Sequence, residues 1–114
     1  MEIVEKAPGR HYAWGDGCDG WHLVRTTTLS VIEERMPPGT SEVRHYHRRA
    51  DQFFYVLQGV LSFCLATKEV ELRAGQGLQV TAGEIHQVRN RSASDVAFLV
   101  VSNPPSHGDR LIAE

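Results

Sequence analysis

Histidines in two parts of the chain have a spacing that suits metal coordination. His45 and His47 lie two residues apart in a segment predicted to be a strand, so their side chains leave the same face, about 6–7 Å apart at Cα. His86 follows a predicted turn, residues 82–85, that leads into another strand. Neutral imidazole is the commonest side-chain ligand of zinc, iron, nickel and copper. The rings converge if the His45 face points into a barrel, although exposed or hydrogen-bonded histidine pairs share this spacing.

Short apolar segments, separated by glycine, proline and other turn residues, must position these histidines. No segment sustains a helical apolar period over three turns, and Gln58-Gly59 predicts a hairpin. Short strands at regular spacing with glycine-rich turns predict an all-β fold, an antiparallel sandwich or barrel. The predicted strands are residues 29–36, 42–47, 53–57, 60–66, 69–72, 78–80, 87–90 and 96–101.

Length and charge restrict the class of protein further. The 114 residues suit one domain, with an N-terminal loop or arm region at 1–22, a barrel at 23–103 and a C-terminal tail at 104–114. A formal net charge of −2 argues against nucleic acid or an anionic membrane surface as the main partner. The longest aliphatic and aromatic run, residues 96–101, is far shorter than the roughly twenty residues of a membrane span. The first residues lack the pattern of a signal peptide, so we expect a cytoplasmic protein.

Two motifs place glycines, histidines and an asparagine at fixed spacings. They read Gly39-x5-His45-x-His47-x4-Gln52-x6-Gly59 and Gly75-x5-Thr81-x-Gly83-x2-His86-x3-Asn90. Together they resemble the motifs of small single-domain cupins, a group often labelled mannose-6-phosphate isomerase-like. The resemblance implies an antiparallel jelly-roll barrel with one divalent metal ion per chain, and it leaves Zn, Ni, Fe, Mn and Cu as alternatives. It places the metal ligands at His45, His47, His86 and position 52.

Position 52 departs from the family pattern, which usually has glutamate where this chain has Gln52. The family's acidic residue stands seven positions before the glycine that is Gly59 here, and this count selects Gln52. The motif also leaves Asp51 or a water molecule open as the fourth ligand. With Gln52, three neutral imidazoles and a neutral amide leave the full charge on a divalent ion, which favours an anionic ligand at the open position.

Further residues are candidates for the wall of a substrate pocket. They are Phe54, Val56, Tyr55, Trp14, Glu33 and Asn90. Trp14 either covers the pocket mouth or seals a barrel edge. The phenol of Tyr55 either donates a proton near the metal or only packs. Glu33 either lines the pocket with Arg35 as an acid–base pair or forms a surface ion pair with it.

Two classes of function suit such a site. The first is an enzyme that acts on a small oxygen-bearing or anionic metabolite by isomerase, lyase or dioxygenase-type chemistry. The alternative is a non-catalytic, metal-dependent module that binds or senses a small ligand, and a barrel without metal is a third possibility.

Open strand edges predict a homodimer, in which the segment with Ile3 and Val4 adds a strand across the interface. Residues 106–110, with the sequence Ser-His-Gly-Asp-Arg, predict an ordered tail docked on the barrel or on a partner subunit.

Overall fold

The protein, described by a computed structural model over residues 2–106 and 108–113, consists of two antiparallel sheets. In spatial order, the first sheet contains β1 (His11–Trp14), β2 (Cys18–Arg25), β3 (Ser30–Met36), β10 (Val96–Asn103), β5 (Asp51–Gln58) and β8 (Gly77–Val80). The second contains β11 (Arg110–Ile112), β4 (His45–His47), β9 (His86–Arg89), β6 (Val60–Leu65) and β7 (Glu69–Arg73). The predicted all-β, antiparallel jelly-roll architecture is confirmed.

Alternation along the strands places the core between the two sheets. In β5 the side chains of Phe54 and Val56 are buried, whereas those of Phe53 and Tyr55 are exposed on the outer face. Full burial of each large apolar side chain contributes about 1.5–3 kcal/mol to folding. The large apolar side chains that are fully buried include Met36, Val56, Leu61, Phe63, Val88, Val96 and Phe98.

The turn at Gln58-Gly59 joins β5 to β6, but it is not the predicted hairpin. The two strands do not pair with each other, because the turn carries the chain from the first sheet to the second. Gly59 has φ +86°, a left-handed conformation that favours glycine. A Cβ there would collide with the carbonyl oxygen of Asp95 and lie 3.0 Å from Val96 Cα. The absence of a side chain at Gly59 therefore allows the loop before β10 to pack closely against this turn.

The N-terminal region differs from the predicted loop over residues 1–22. Residues 11–14 and 18–25 form the antiparallel hairpin β1–β2, which extends the first sheet beside β3. Gly15 and Gly17 have positive φ and turn the chain between the two strands. The glycine-rich composition therefore reflects a tight turn within a hairpin, not an irregular arm.

The C-terminal tail is ordered against the barrel. Strand β11 pairs with β4, with Arg110 opposite His47 and Ile112 opposite His45. The predicted docking of the tail is thus confirmed for its described part, whereas His107 lies outside the described residues. Among the described residues, no helix is long and apolar enough to cross a membrane.

Candidate metal centre

Strands β4 and β9 bring three histidines together inside the barrel. His45 lies directly opposite His86 in the ladder between these strands, and His47 follows on the same face of β4. The ring centroids are 4.4 Å apart for His45 and His86, 5.0 Å for His45 and His47, and 5.7 Å for His47 and His86. Each ring offers one nitrogen atom, and the three nitrogen atoms all lie within 4.8 Å of one another. All three side chains are buried.

Backbone hydrogen bonds fix which ring nitrogens are available. The Nδ1–H of His45 donates to the carbonyl of Val43 at 2.7 Å, and that of His86 donates to the carbonyl of Glu84 at 2.9 Å. This tautomer leaves the lone pair on Nε2, the arrangement typical of metal-binding imidazoles. Within the described part of the chain, the buried His86 Nε2 and His47 Nδ1 have no hydrogen-bond partner. Unsatisfied basic nitrogens in a buried cluster fit a divalent cation.

Burial keeps these imidazoles neutral. Desolvation, with a smaller contribution from the nearby His86 ring, lowers the pKa of His45 to about 3 and that of His47 to about 4. Desolvation also lowers the pKa of His86. Neutral imidazole is the form that coordinates a metal, so the cluster is ready to bind one at neutral pH.

Gln52 supplies an oxygen beside the histidines. Its amide nitrogen donates to Ser102 Oγ on the neighbouring strand β10 at 3.0 Å. Its Oε1 is buried and, among the residues that the structure describes, has no hydrogen-bond partner. The hydrogen bond to Ser102 fixes the amide nitrogen and leaves the amide oxygen free to coordinate a cation. Gln52 therefore fits the role of a neutral fourth ligand.

Asp51, the alternative ligand, is not brought to the histidines. Its side chain is exposed on the opposite face of β5, and Oδ1 accepts a hydrogen bond from the backbone nitrogen of Ala82 at 2.9 Å. The carboxylate therefore stabilises the turn before β9.

The cavity above the histidines has a volume of about 300 Å³. Its lining contains His45, His47, Gln52, Tyr12, Trp14, Ile32, Glu34, Glu42, Phe54, Val100, Ser106, Gly108 and Arg110. The aromatic and aliphatic side chains form walls, and the polar groups supply binding contacts. This combination is typical of sites for small metabolites.

Of the residues predicted for the pocket wall, Trp14 and Phe54 line this cavity. The ring of Phe54 packs against His86, with centroids 5.9 Å apart. Val56, one alternation further along β5, is fully buried in the core.

Three other predicted pocket residues are placed elsewhere. Tyr55 is exposed on the outer face of β5 because strand alternation turns it away from Phe54. Glu33 forms an ion pair with Lys6 at 2.8 Å instead of lining the cavity. Asn90 is buried outside the cavity, and its amide donates to the carbonyl of Met36 at 2.8 Å, which fastens the loop after β9 to the end of β3.

Sequence reasoning missed five polar residues of the cavity. These are Tyr12, Glu34, Glu42, Ser106 and Arg110. A signal for Glu34 was present, because it alternates with the apolar residues Ile32 and Met36 and so shares their inward face. Arg110 carries no local signal, since only the pairing of β11 with β4 brings it to the site.

Glu42 stands beside the histidine cluster. Its Oε2 accepts a hydrogen bond from the backbone nitrogen of Val88 at 2.9 Å, and its Oε1 lies 3.8 Å from His45 Nδ1. Burial raises its pKa to about 8; the Val88 N–H opposes the rise and the nearby carboxyl of Glu34 adds to it. The carboxyl therefore lies next to the His45 ring without a hydrogen bond to it, and the Val43 carbonyl is the group that orients the ring.

The chain is similar to known proteins both in sequence and in fold. The family model described as the cupin domain matches residues 32–102. The tetracenomycin polyketide synthase protein TcmJ of Streptomyces glaucescens is 36% identical over 56 residues, which cover 49% of this chain and 38% of that protein. The oxalate-binding protein of Thermotoga maritima is 33% identical over 67 residues, 59% of this chain and 55% of that protein.

The chain spans only about a third to a half of the length of these two curated relatives. Among solved structures, the polyketide cyclase RemF of Streptomyces resistomycificus superposes with a TM-score of 0.87 at 18% identity, over 100% of this chain and 86% of that one. At this identity the likeness concerns the fold alone.

Proposed function

Because the chain belongs to the cupin domain family, with residues 32–102 matching its model, we propose that it binds one divalent metal ion through His45, His47 and His86. The metal site in turn binds a small oxygen-bearing or anionic metabolite. The observation that carries this function is the buried cluster of three neutral imidazoles whose ligand atoms lie within 4.8 Å of one another. When bound, the ion supplies Lewis-acid activation of an oxygen ligand.

Gln52 is the fourth protein ligand in this proposal. Its bare, buried Oε1 and its Ser102-anchored amide nitrogen support that role. A neutral amide in place of a carboxylate leaves more positive charge at the centre, which favours an anionic metabolite. Arg110, which also lines the cavity, adds a positive charge on the same side.

The cavity limits the metabolite to a small molecule. Phe54, Ile32 and Val100 provide apolar walls within about 300 Å³. Apolar walls exclude water and hold the carbon skeleton, while the polar groups set its orientation. We propose isomerase, lyase or dioxygenase-type chemistry on such a molecule, in the cytoplasm.

Metal analysis of the purified protein tests the proposed site. We expect about one divalent ion per chain after loading, and loss of most of it in His86→Ala, because only two imidazoles and one neutral amide would remain to hold the ion. The matched control is His11→Ala, which removes a histidine that pairs with Asp19 on the surface. Metal content that is equal in the two variants, or absent from the folded wild-type protein, would contradict the proposal.

A second candidate function is a metal-dependent binding module without turnover. It is favoured by the likeness to a relative that is named as an oxalate-binding protein, and by the positively charged Arg110 in the cavity wall. The metal-loaded protein is tested for oxygen uptake and for sugar-phosphate isomerisation, and for binding of oxalate. Oxalate binding with no turnover of any substrate would favour this second function.

A further inference from the structure

Three residues form a row across the first sheet, on the side of the cavity that faces the histidines. Tyr12 on β1 pairs with Gly20 on β2, and Gly20 pairs with Glu34 on β3. The Tyr12 hydroxyl donates to Glu34 Oε2 at 2.8 Å, so its side chain spans the middle strand. Tyr12 and Glu34 both line the cavity that contains His45 and His47.

Gly20 makes this hydrogen bond possible. A Cβ at this position would collide with the ring and hydroxyl of Tyr12, although the backbone of Gly20 is not in the left-handed region. The glycine therefore provides space, and the phenol lies flat over β2 to reach Glu34. Because the Tyr12 ring packs against Gly20, its hydroxyl has few alternative positions. The hydrogen bond from this hydroxyl therefore orients the carboxyl group of Glu34.

Charged and titratable groups surround Glu34 from several strands. Tyr12 from β1, Glu42 before β4, His45 and His47 from β4, and Arg110 from β11 share the cavity with Glu34. Cys18 from β2 interacts with it electrostatically, and His22 from β2 contacts the Tyr12 ring. The neighbour on β10, Phe98, is apolar. Burial raises the pKa of Glu34 to about 7, while the Tyr12 hydrogen bond and the Arg110 charge oppose the rise. The carboxyl can therefore exchange a proton near neutral pH.

We propose that Glu34, oriented by Tyr12, is the proton-exchanging group of the cavity: it takes up one proton from solvent when a small anion binds at the histidine centre, and the resulting O–H donates a hydrogen bond to that anion. The physical reason is that a carboxylate and a bound anion repel each other in a partly buried site, whereas a carboxylic acid and an anion attract. This role rests on the proposed function, because it requires a metal that binds the anion. Tyr12 is a positioning residue in this scheme.

The acid–base behaviour of Glu34 is testable without any metal. The side-chain carboxyl carbons of glutamate are followed by NMR over a pH titration of the metal-free protein. We expect one resonance, absent in Glu34→Gln, to titrate near neutral pH. Tyr12→Phe should raise its midpoint by roughly one pH unit, because the ionised form loses a hydrogen-bond donor. Glu33→Gln, on the outer face, is the control and should leave that resonance unchanged.

Coupling to the anion is measured on the zinc-loaded protein with oxalate as the probe. Calorimetry in buffers of different ionisation enthalpy reports the protons taken up. The Glu34 midpoint is first measured again on the zinc-loaded protein, because a nearby cation lowers the pKa of a carboxyl group. At that pH half of the carboxyls are ionised, so we expect an uptake of about half a proton per oxalate. The uptake should fall by that amount in Glu34→Gln and stay unchanged in Glu33→Gln.

The two measurements separate two kinds of failure. A Glu34 resonance that titrates like an exposed carboxyl, or that does not respond to Tyr12→Phe, would overturn the assignment of Glu34 whether or not metal binds. Equal proton uptake in wild type and Glu34→Gln would overturn the coupling. Zinc that does not bind at all would overturn the proposed function, and with it the coupling, while the metal-free titration would still decide the acid–base character of Glu34.

Discussion

At the scale of single residues, Gln52 sets the charge of the candidate centre. The resemblance to small cupins implies glutamate at this position, and the chain has an amide whose oxygen is buried without a partner among the described residues. Ser102 receives the other end of the amide. A glutamate would keep the same length and bring one negative charge to the same place.

Gln52→Glu should tighten metal binding and weaken binding of anions. The added charge attracts the cation and repels the anionic ligand, and we expect each affinity to change on the order of tenfold, equivalent to about 1.4 kcal/mol. Zinc affinity is measured by competition with a chelator, and oxalate affinity by calorimetry. Gln79→Glu, at an exposed position on β8, is the control for charge alone. If both variants behave alike, Gln52 is not a ligand.

Residue patterns predicted the three histidines of the site but not all the residues that line its cavity. Spacing placed His45 and His47 on one face, and the second motif added His86; the structure brings all three together. The same alternation applied to β3 turns Glu34 inward and Glu33 outward, and the prediction took Glu33 because it considered only the pair with Arg35. An ion pair on a surface and an acid–base pair in a pocket have the same sequence pattern, so burial decides between them.

At the scale of elements, the tail strand β11 is held by one carboxylate. Asp109 accepts hydrogen bonds from the backbone nitrogens of Arg49 at 2.9 Å and Ala50 at 2.8 Å. Burial raises the pKa of Asp109, but these N–H donors outweigh it and hold the pKa below its usual range. A depressed carboxyl pKa stabilises the fold above the pKa of the unfolded chain, and this contribution is lost as pH falls through the folded pKa. The tail should therefore loosen in acid.

Asp109→Ala should release β11 from β4. Loss of hydrogen bonds to a charged acceptor is expected to cost about 1.5–3 kcal/mol of unfolding free energy. Amide hydrogen exchange should increase at Arg110–Ile112 and at the β4 residues that face them. Asp95→Ala, which breaks only an exposed ion pair with Arg35, should leave this exchange pattern unchanged. Unaltered protection of β11 in Asp109→Ala would show that strand pairing alone holds the tail.

The elements themselves were predictable where local chemistry specifies them. A turn at Gln58-Gly59 was predictable, because glycine easily adopts the positive φ that Gly59 has there. The predicted hairpin was wrong, since the turn connects the two sheets and its flanking strands pair with other partners, which no local pattern reports. The hairpin β1–β2 was missed because its three glycines suggested a loop, although one of them, Gly20, is a flat strand position that accommodates Tyr12. Pairing of β11 with β4 depends on contacts more than sixty residues apart in sequence, which no local pattern reports.

At the scale of the whole molecule, the outer face of the first sheet is a candidate interface. Phe53, Tyr55 and Leu57 of β5 are all exposed, and Leu99 and Val101 of β10 lie beside them in register. The N-terminal residue Ile3, predicted to cross a dimer, is also exposed. Exposed apolar surface of this kind marks association sites in many proteins.

We expect sedimentation of the protein at twice its chain mass of 12.8 kDa. The double variant Phe53→Ser with Tyr55→Ser should shift the equilibrium towards monomer if the sheet face is the interface. The double variant Ile3→Ser with Val4→Ser should do so if the N-terminal segment is the interface. A wild-type mass near that of one chain at micromolar concentration would contradict the homodimer.

The C-terminal strand has a practical consequence for handling the protein. Strand β11 lies at the edge of the second sheet, directly beside the strand that carries two of the histidines, and its Arg110 lines the cavity. A peptide fused at the C-terminus is therefore attached only a few residues from the cavity wall. A polyhistidine purification tag at that end would offer competing imidazoles within reach of the site. Metal stoichiometry is therefore best measured on protein whose affinity tag is placed at the opposite terminus or removed.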